Sequence, residues 1–201
     1  RACQIVGVPV QGIRKYFSLK SVPERLPIPE QQFVVDYTYL QKASCDKDSS
    51  DSSSVGPRSR VQKRTEIPPQ SSLESALRVA AAQPLNISYS LREEEEYHGF
   101  QNLTTSSRII SKKEYQILKT KPMDHTVETR RWRRVFMHEE YIFEIDLVLG
   151  PKGLDHVKLA VECENLNSKV DFPPFLEVED EVTNDERHSS WHLAISRGKD
   201  S

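Results

Sequence analysis

"ETRRWRRVF" (Glu128–Phe136) and "YIFEIDLVLG" (Tyr141–Gly150) decide how the rest of this chain is read. Successive side chains of a β-strand point to opposite faces, so in the first stretch Arg131 and Arg133 share one face and Trp132 takes the other, where it can pack against a helix. In the second, Glu144 and Asp146 share a face against Phe143, Ile145 and Leu147. The same alternation places Arg60 with Arg64 in "SRVQKRTEI" and Glu162 with Glu164 in "HVKLAVECENL". A single strand of this kind is explained by charges lying in water, and the Arg cluster around Trp132 by a solvated edge or a basic patch. Four such strands support a second reading, in which a barrel covered on its outside turns the charges inward. In a polar lumen of that kind guanidinium groups meet phosphate oxygens and carboxylates hold a hard cation.

The remaining segments are also mostly strands. "QIVGVPVQGIRKYFSLKSVP" alternates Ile13, Lys15, Phe17 and Leu19 against Arg14, Tyr16, Ser18 and Lys20, and "QFVVDYTYL" is rich in β-branched and aromatic residues. "NISYSLREE" alternates again, and the four consecutive acids that follow Arg92 read as a hairpin end in water. "SLESALRVAAA" after Ser71 and "SKKEYQILKT" before Pro122 carry helix signals. The Ser/Asp tract over residues 44–57 buries too little apolar surface to order itself and is expected to be a disordered loop. The pattern predicts a mainly β (α+β) chain of seven or eight strands, in an antiparallel sheet closed on itself, with a few short helices.

With 201 residues, the whole chain, 1–201, reads as one domain, and its start at Arg1 suggests the C-terminal part of a longer protein. A net charge of −2 gives no global reason to bind nucleic acid, and none is expected as a partner. Cys3, Cys45 and Cys163 lack metal-ligand spacing and the six histidines are scattered, so no zinc is expected. No run of about 20 apolar residues is present, which together with the odd cysteine count predicts a reducing, cytoplasmic setting despite the sequons at Asn86 and Asn102.

"FEID", "AVECE" and "PPFLEVEDEVTNDERHSSWHLA" resemble, in order, the C-terminal motifs of the CYTH superfamily, the triphosphate tunnel metalloenzymes: a Trp-Glu-x-Asp strand, an Ala-Glu-x-Glu strand and a Leu-x-x-Glu-Val-Thr-x-Asp segment. "GIRKYFSLKSVP", "SRVQKR", "SYSLR" and "ETRRWRRVF" resemble the earlier strands, so the likeness covers most of the chain. It implies an eight-stranded antiparallel tunnel whose basic walls bind a polyphosphate through Lys15, Arg60, Arg64, Arg92, Arg131 and Arg133. It also implies Mg²⁺ or Mn²⁺ on Glu144, Asp146, Glu162, Glu164 and Glu181, with Glu177, Glu179 and Asp180 as solvated neighbours. Pro173 and Pro174 are expected to set a rigid turn that Phe175 and Leu176 anchor, and Trp191 and Leu193 to pack the chain end.

This sequence departs from the family where the metal is held. The opening Glu-x-Glu-x-Lys is replaced by Gln11, Ile13 and Lys15, and the central Arg-x-Glu-x-Glu strand reads "LTTSSRIIS", with Arg108 and no acid. Phosphoryl transfer without a bound ion lacks its main stabiliser of developing charge. The expectation is therefore a non-catalytic module that binds a phosphorylated ligand, with a metal-dependent triphosphatase as the alternative. A narrower resemblance, through "IRKYFSLKSVP", the Ser-rich loop and "FPPFLEVEDEVT", is to the C-terminal half of animal proteins of the TRPL translocation defect type. It implies an upstream P-loop domain, a phosphoinositide head group or guanine nucleotide as ligand, a role in membrane-protein trafficking, and peripheral association with membranes.

Overall fold

The computed structural model describes residues 13–41, 58–82, 86–96, 102–150, 156–164 and 167–195. The expected disordered loop at 44–57 lies outside them, as do Gln11, Cys3 and Cys45. The described residues form strands β1 (Ile13–Leu19), β2 (Glu30–Leu40), β3 (Arg58–Ile67), β4 (Ile87–Glu96), β5 (Asn102–Ile109), β6 (Thr129–His138), β7 (Tyr141–Gly150), β8 (Val157–Cys163) and β9 (Val178–Glu181). Helix α1 (Leu73–Ala81) follows β3, α2 (Lys112–Lys119) follows β5, and a 3-10 turn (Glu186–His188) leads into α3 (Ser190–Ile195). Both longer helices start where the sequence places a serine cap. Ser72 Oγ accepts from the Ser75 amide at 3.3 Å and Ser111 Oγ from the Glu114 amide at 3.1 Å, satisfying donors that the first turn leaves open.

All strand pairings are antiparallel, in the order β5-β4-β3-β2-β6-β7-β8-β1-β9. Among the described residues there are nine strands rather than eight, the addition being the short β9, which pairs Glu181 with Phe17 and Val178 with Leu19 at the edge of β1. The "LEVEDE" segment is drawn there because Leu176 and Phe175 pack beside Phe136 after the expected proline turn, closed by the Leu176 amide to Pro173 carbonyl bond of 3.0 Å.

Register sorts each strand into two faces. One face carries Phe17 and Leu19 of β1, Leu159 and Val161 of β8, Phe143 and Ile145 of β7 and Phe136 of β6, which pack as the main core under the loops on either side of β9. Phe136 and Phe143 stack there at 5.3 Å. Burying each such side chain is worth about 1.5–3 kcal/mol. Farther along the same face, Trp132 and Val34 meet Ala76, Val79 and Ala80 of α1, and Val61, Tyr89 and Leu91 meet Tyr115 and Leu118 of α2. Trp132 thus packs outward against a helix, as expected. Beside it, Glu30 holds Arg134 at 2.6 and 2.7 Å, both side chains fully buried, while the Arg134 guanidinium also donates to the Pro23 carbonyl. Gln32 completes this pair, donating to Glu30 at 2.9 Å and accepting from the Trp132 indole at 3.1 Å.

Candidate functional site

The other face of the sheet is concave and charged. Phe33, Val35, Tyr37 and Tyr39 of β2 line it, flanked by Arg60, Gln62 and Arg64 on β3, Arg92 on β4 and Arg131 and Arg133 on β6. Glu144 and Asp146 come from β7, Lys158 and Glu162 from β8, and Arg14 and Tyr16 from β1. The sheet curls far enough for residues on distant strands to feel one another. Arg92 and Arg64 interact with both Arg133 and Glu144, and Lys158 interacts with Arg60. This curvature makes the nine strands a tunnel-like fold.

Inside, the carboxylates serve as counter-ions. Asp146 accepts from Arg133 Nε and Nη2 at 2.7 Å each and from Arg131 Nη1 at 3.2 Å. Burial opposes the Asp146 charge, but the two arginines overcome it and hold the carboxyl well below its usual range. Glu144 lies between Arg14, at 3.2 Å, and Arg133 Nη1, at 2.9 Å from its Oε2, the latter an ionic contact without hydrogen-bond alignment. It too is lowered, burial opposing and Arg133 and Arg14 favouring ionisation. Glu162 takes Arg14 Nη2 at 2.6 Å. Burial would likewise discharge Arg133, and Asp146 and Glu144 keep it charged, its value well above the ordinary one.

Cations exceed acids on this face. Burial and then the neighbouring Arg133 lower Arg64, while burial and then Arg60 lower Arg92. Burial and then Arg131 push Lys158 down to about 7, despite the attraction of Asp146. Lys158 Nζ sits 3.8 Å above the Tyr16 ring and donates to the His188 carbonyl at 3.1 Å. Aromatic rings support other cations: Arg64 lies 3.4 Å over Phe33, and Arg60 4.5 Å over Tyr37. Among the described residues, Nε and Nη2 of Arg131 and Nε of Arg92 are buried donors without a hydrogen-bond partner. Leaving a buried donor unmade costs about 1–3 kcal/mol, and more when the group is charged.

At one end the C-terminal segment sits across this face, Trp191 meeting the Tyr39 ring at 5.0 Å with Arg58 4.2 Å over it. Leu193 of the same segment is buried, in keeping with the expected packing of Trp191 and Leu193.

Of the expected phosphate-binding residues, the structure brings Arg60, Arg64, Arg92, Arg131 and Arg133 together and leaves Lys15 out. Lys15 stands on the opposite face, opposite Val161 in register and 3.5 Å from Glu181. Phe17 and Leu19, on its side of β1, are needed in the outer core, so the alternation turns Arg14 and Tyr16 inward instead. Glu144, Asp146 and Glu162 line the tunnel. Glu181 does not: it is paired with Lys15 and with Thr183 Oγ1, at 2.7 Å, on the outer side. Glu164 lies past the end of β8 and is exposed. The expected metal set is thus divided, and among the described residues no three Asp, Glu, His or Cys side chains converge as a metal-binding group. Sequence reasoning missed Arg14 and Lys158. The signal for Arg14 was present in the apolar Phe17 and Leu19, whereas nothing local distinguished Lys158 from a solvated lysine.

The fold defined by this geometry is the triphosphate tunnel (CYTH) fold. Two solved structures of the protein NE1496 share it, one titled a hypothetical protein and the other an inorganic triphosphatase. The first matches at a TM-score of 0.52 and 15% identity, covering 92% of this chain and 97% of that one. The second matches at a TM-score of 0.53 and 15% identity, covering 94% and 97%. No protein-family model matches the chain. No curated protein matches it by sequence.

Proposed function

We propose that the concave face binds a polyphosphate anion, with inorganic triphosphate as the first ligand to test. The observation that carries this reading is the buried Arg131 and Arg92 donors without partners among the described residues, set within an excess of cations. Arg131 and Arg133 would grip phosphate oxygens from β6, Arg60, Arg64 and Arg92 from β3 and β4, and Arg14 and Lys158 from the far side. Guanidinium forks suit phosphate geometry, and charge-assisted bonds of this kind are about twice as strong as neutral ones.

A second reading adds hydrolysis. The triphosphatase title of one NE1496 structure favours it over binding alone, and Glu144, Asp146 and Glu162 are the oxygen donors that Mg²⁺ or Mn²⁺ prefers. When bound, such an ion would neutralise charge on the transferring phosphoryl group. Each of the three carboxylates is already engaged by arginine, so the ion is best considered part of the substrate, as its complex with triphosphate.

Phosphate release from triphosphate with Mg²⁺ or Mn²⁺, run beside titration calorimetry of the same ligand, separates the readings. Binding with release no faster than buffer supports a binding module. Release that disappears in Glu144→Gln supports the triphosphatase. Absence of both would sink the proposal. GTP and a soluble inositol phosphate belong in the same titrations, because the narrower resemblance to proteins of the TRPL translocation defect type points to those ligands.

A further inference from the structure

On the convex face, away from the tunnel, α1 and α2 stand apart over β2, β3, β4 and β6 and leave a cleft of about 590 Å³. That size is within the range of small-molecule sites. Its floor is Asp36, Lys63 and Arg130. Asp36 is almost wholly buried, takes Arg130 Nε at 2.6 Å and lies 3.9 Å from Lys63 Nζ. Lys112, Tyr115, Gln116 and Lys119, at helical spacing on one side of α2, form a wall, and Ala80 and Ala81 at the end of α1 face them.

Two features of this cleft select a ligand. The first is charge: Lys63, Lys112, Lys119 and Arg130 are four cations against two acids, Asp36 and Glu128, the latter held by Lys119 at 2.7 Å. The excess of two matches the charge of a phosphomonoester dianion, and Lys112 has no ion pair among the described residues. The second is shape. Tyr89 and Tyr115, with ring centroids 4.8 Å apart, lie beside the small side chains of α1 and leave a slot with an aromatic wall. Burial, with Glu128 and Asp36 close by, raises the Tyr115 phenol, which stays protonated and can donate to an anion. We infer that this cleft binds a small aryl phosphate, its phosphate on Lys63, Lys112 and Arg130 and its ring along Tyr89 and Tyr115. The site is independent of the tunnel, since none of its residues lies on the concave face.

Phenylphosphonate, which no phosphatase can hydrolyse, is the probe, titrated into the full chain by calorimetry or NMR. Saturable binding should weaken at least about tenfold in Lys63→Gln/Lys112→Gln, because two charge-assisted contacts are lost. It should also weaken in Ala81→Leu, which fills the slot without changing charge. Triphosphate binding should be unchanged in both variants, and Arg131→Ala/Arg133→Ala should leave phenylphosphonate binding intact. Inorganic phosphate and benzoate should each bind at least about tenfold more weakly than phenylphosphonate, lacking the ring or the second charge. No saturation by about 20 mM, equal binding of inorganic phosphate, or indifference to both cleft variants would overturn the assignment. A phosphotyrosine peptide binding tenfold more tightly than phenylphosphonate would instead make the cleft a protein-docking site and would also overturn it.

Discussion

Asp146→Asn should tighten metal-free triphosphate binding while lowering stability, because Asp146 is the counter-ion of two tunnel arginines. The carboxylate occupies Arg133 Nε and Nη2 at 2.7 Å and Arg131 Nη1 at 3.2 Å, and the variant amide, with one acceptor oxygen and no charge, cannot hold all three donors. Removing one negative charge about 6 Å from a bound phosphate changes its energy by roughly 3 kcal/mol per ligand charge at an effective dielectric of about 20. Salt screens this, so about 1.5 kcal/mol, or tenfold, is the smallest gain expected. The free protein is left with two buried guanidinium groups short of a partner, which costs about 3–5 kcal/mol. Because the native carboxyl titrates well below its usual range, Asp146 contributes fully above about pH 4 and loses its contribution as pH falls further. The stability gap between wild type and variant should narrow over that acid range. Calorimetry in EDTA and urea unfolding measure the two effects. A folded Asp146→Asn that binds triphosphate tenfold more weakly without metal would refute the counter-ion role.

Other perturbations follow from the same geometry. Lys158, pushed down to about 7, should be about nine-tenths neutral at pH 8 and should take up a proton as triphosphate binds. Calorimetry in buffers of different ionisation enthalpy should show less uptake for Lys158→Gln, and equal uptake would contradict this. Between about pH 7 and 10 the unfolded chain binds the extra proton, so Lys158 also makes wild-type stability rise with pH over that window. Arg14→Ala should weaken triphosphate binding and Lys15→Ala should not, because only Arg14 faces the tunnel; the reverse order would mean a register slip in β1. Arg134→Met alone should cost about 3–5 kcal/mol in urea unfolding, and Glu30→Leu added to it should recover most of that loss. A double variant as unstable as the single one would assign the cost to packing instead.

The alternation in "YIFEIDLVLG" and "ETRRWRRVF" was a dependable guide, because burial of Phe143, Ile145, Phe136 and Trp132 on one side leaves Glu144, Asp146, Arg131 and Arg133 only the other. The two longer helices, α1 and α2, were legible from the helix signals at their ends. The strand "IRKYFSL" was harder to orient, since Lys15 shares its face with two large apolar residues and family likeness drew it inward. Its aliphatic stem crosses the outer core beside Val161 while the ammonium reaches Glu181, which is how a lysine can share a buried face. The division of the expected metal ligands was not legible at all. It depends on where β8 ends before Glu164 and on β9 joining the edge of β1, both tertiary outcomes that no local pattern encodes.

That phosphate binds on the concave face is tested most directly by titrating metal-free inorganic triphosphate into wild type and into Arg131→Ala/Arg133→Ala. Each lost charge-assisted contact is worth about 1.5–3 kcal/mol, so the double variant should bind at least about a hundredfold more weakly than a wild type that saturates at one site. Wild-type affinity retained in a folded double variant would place the phosphate elsewhere and contradict the tunnel as its site.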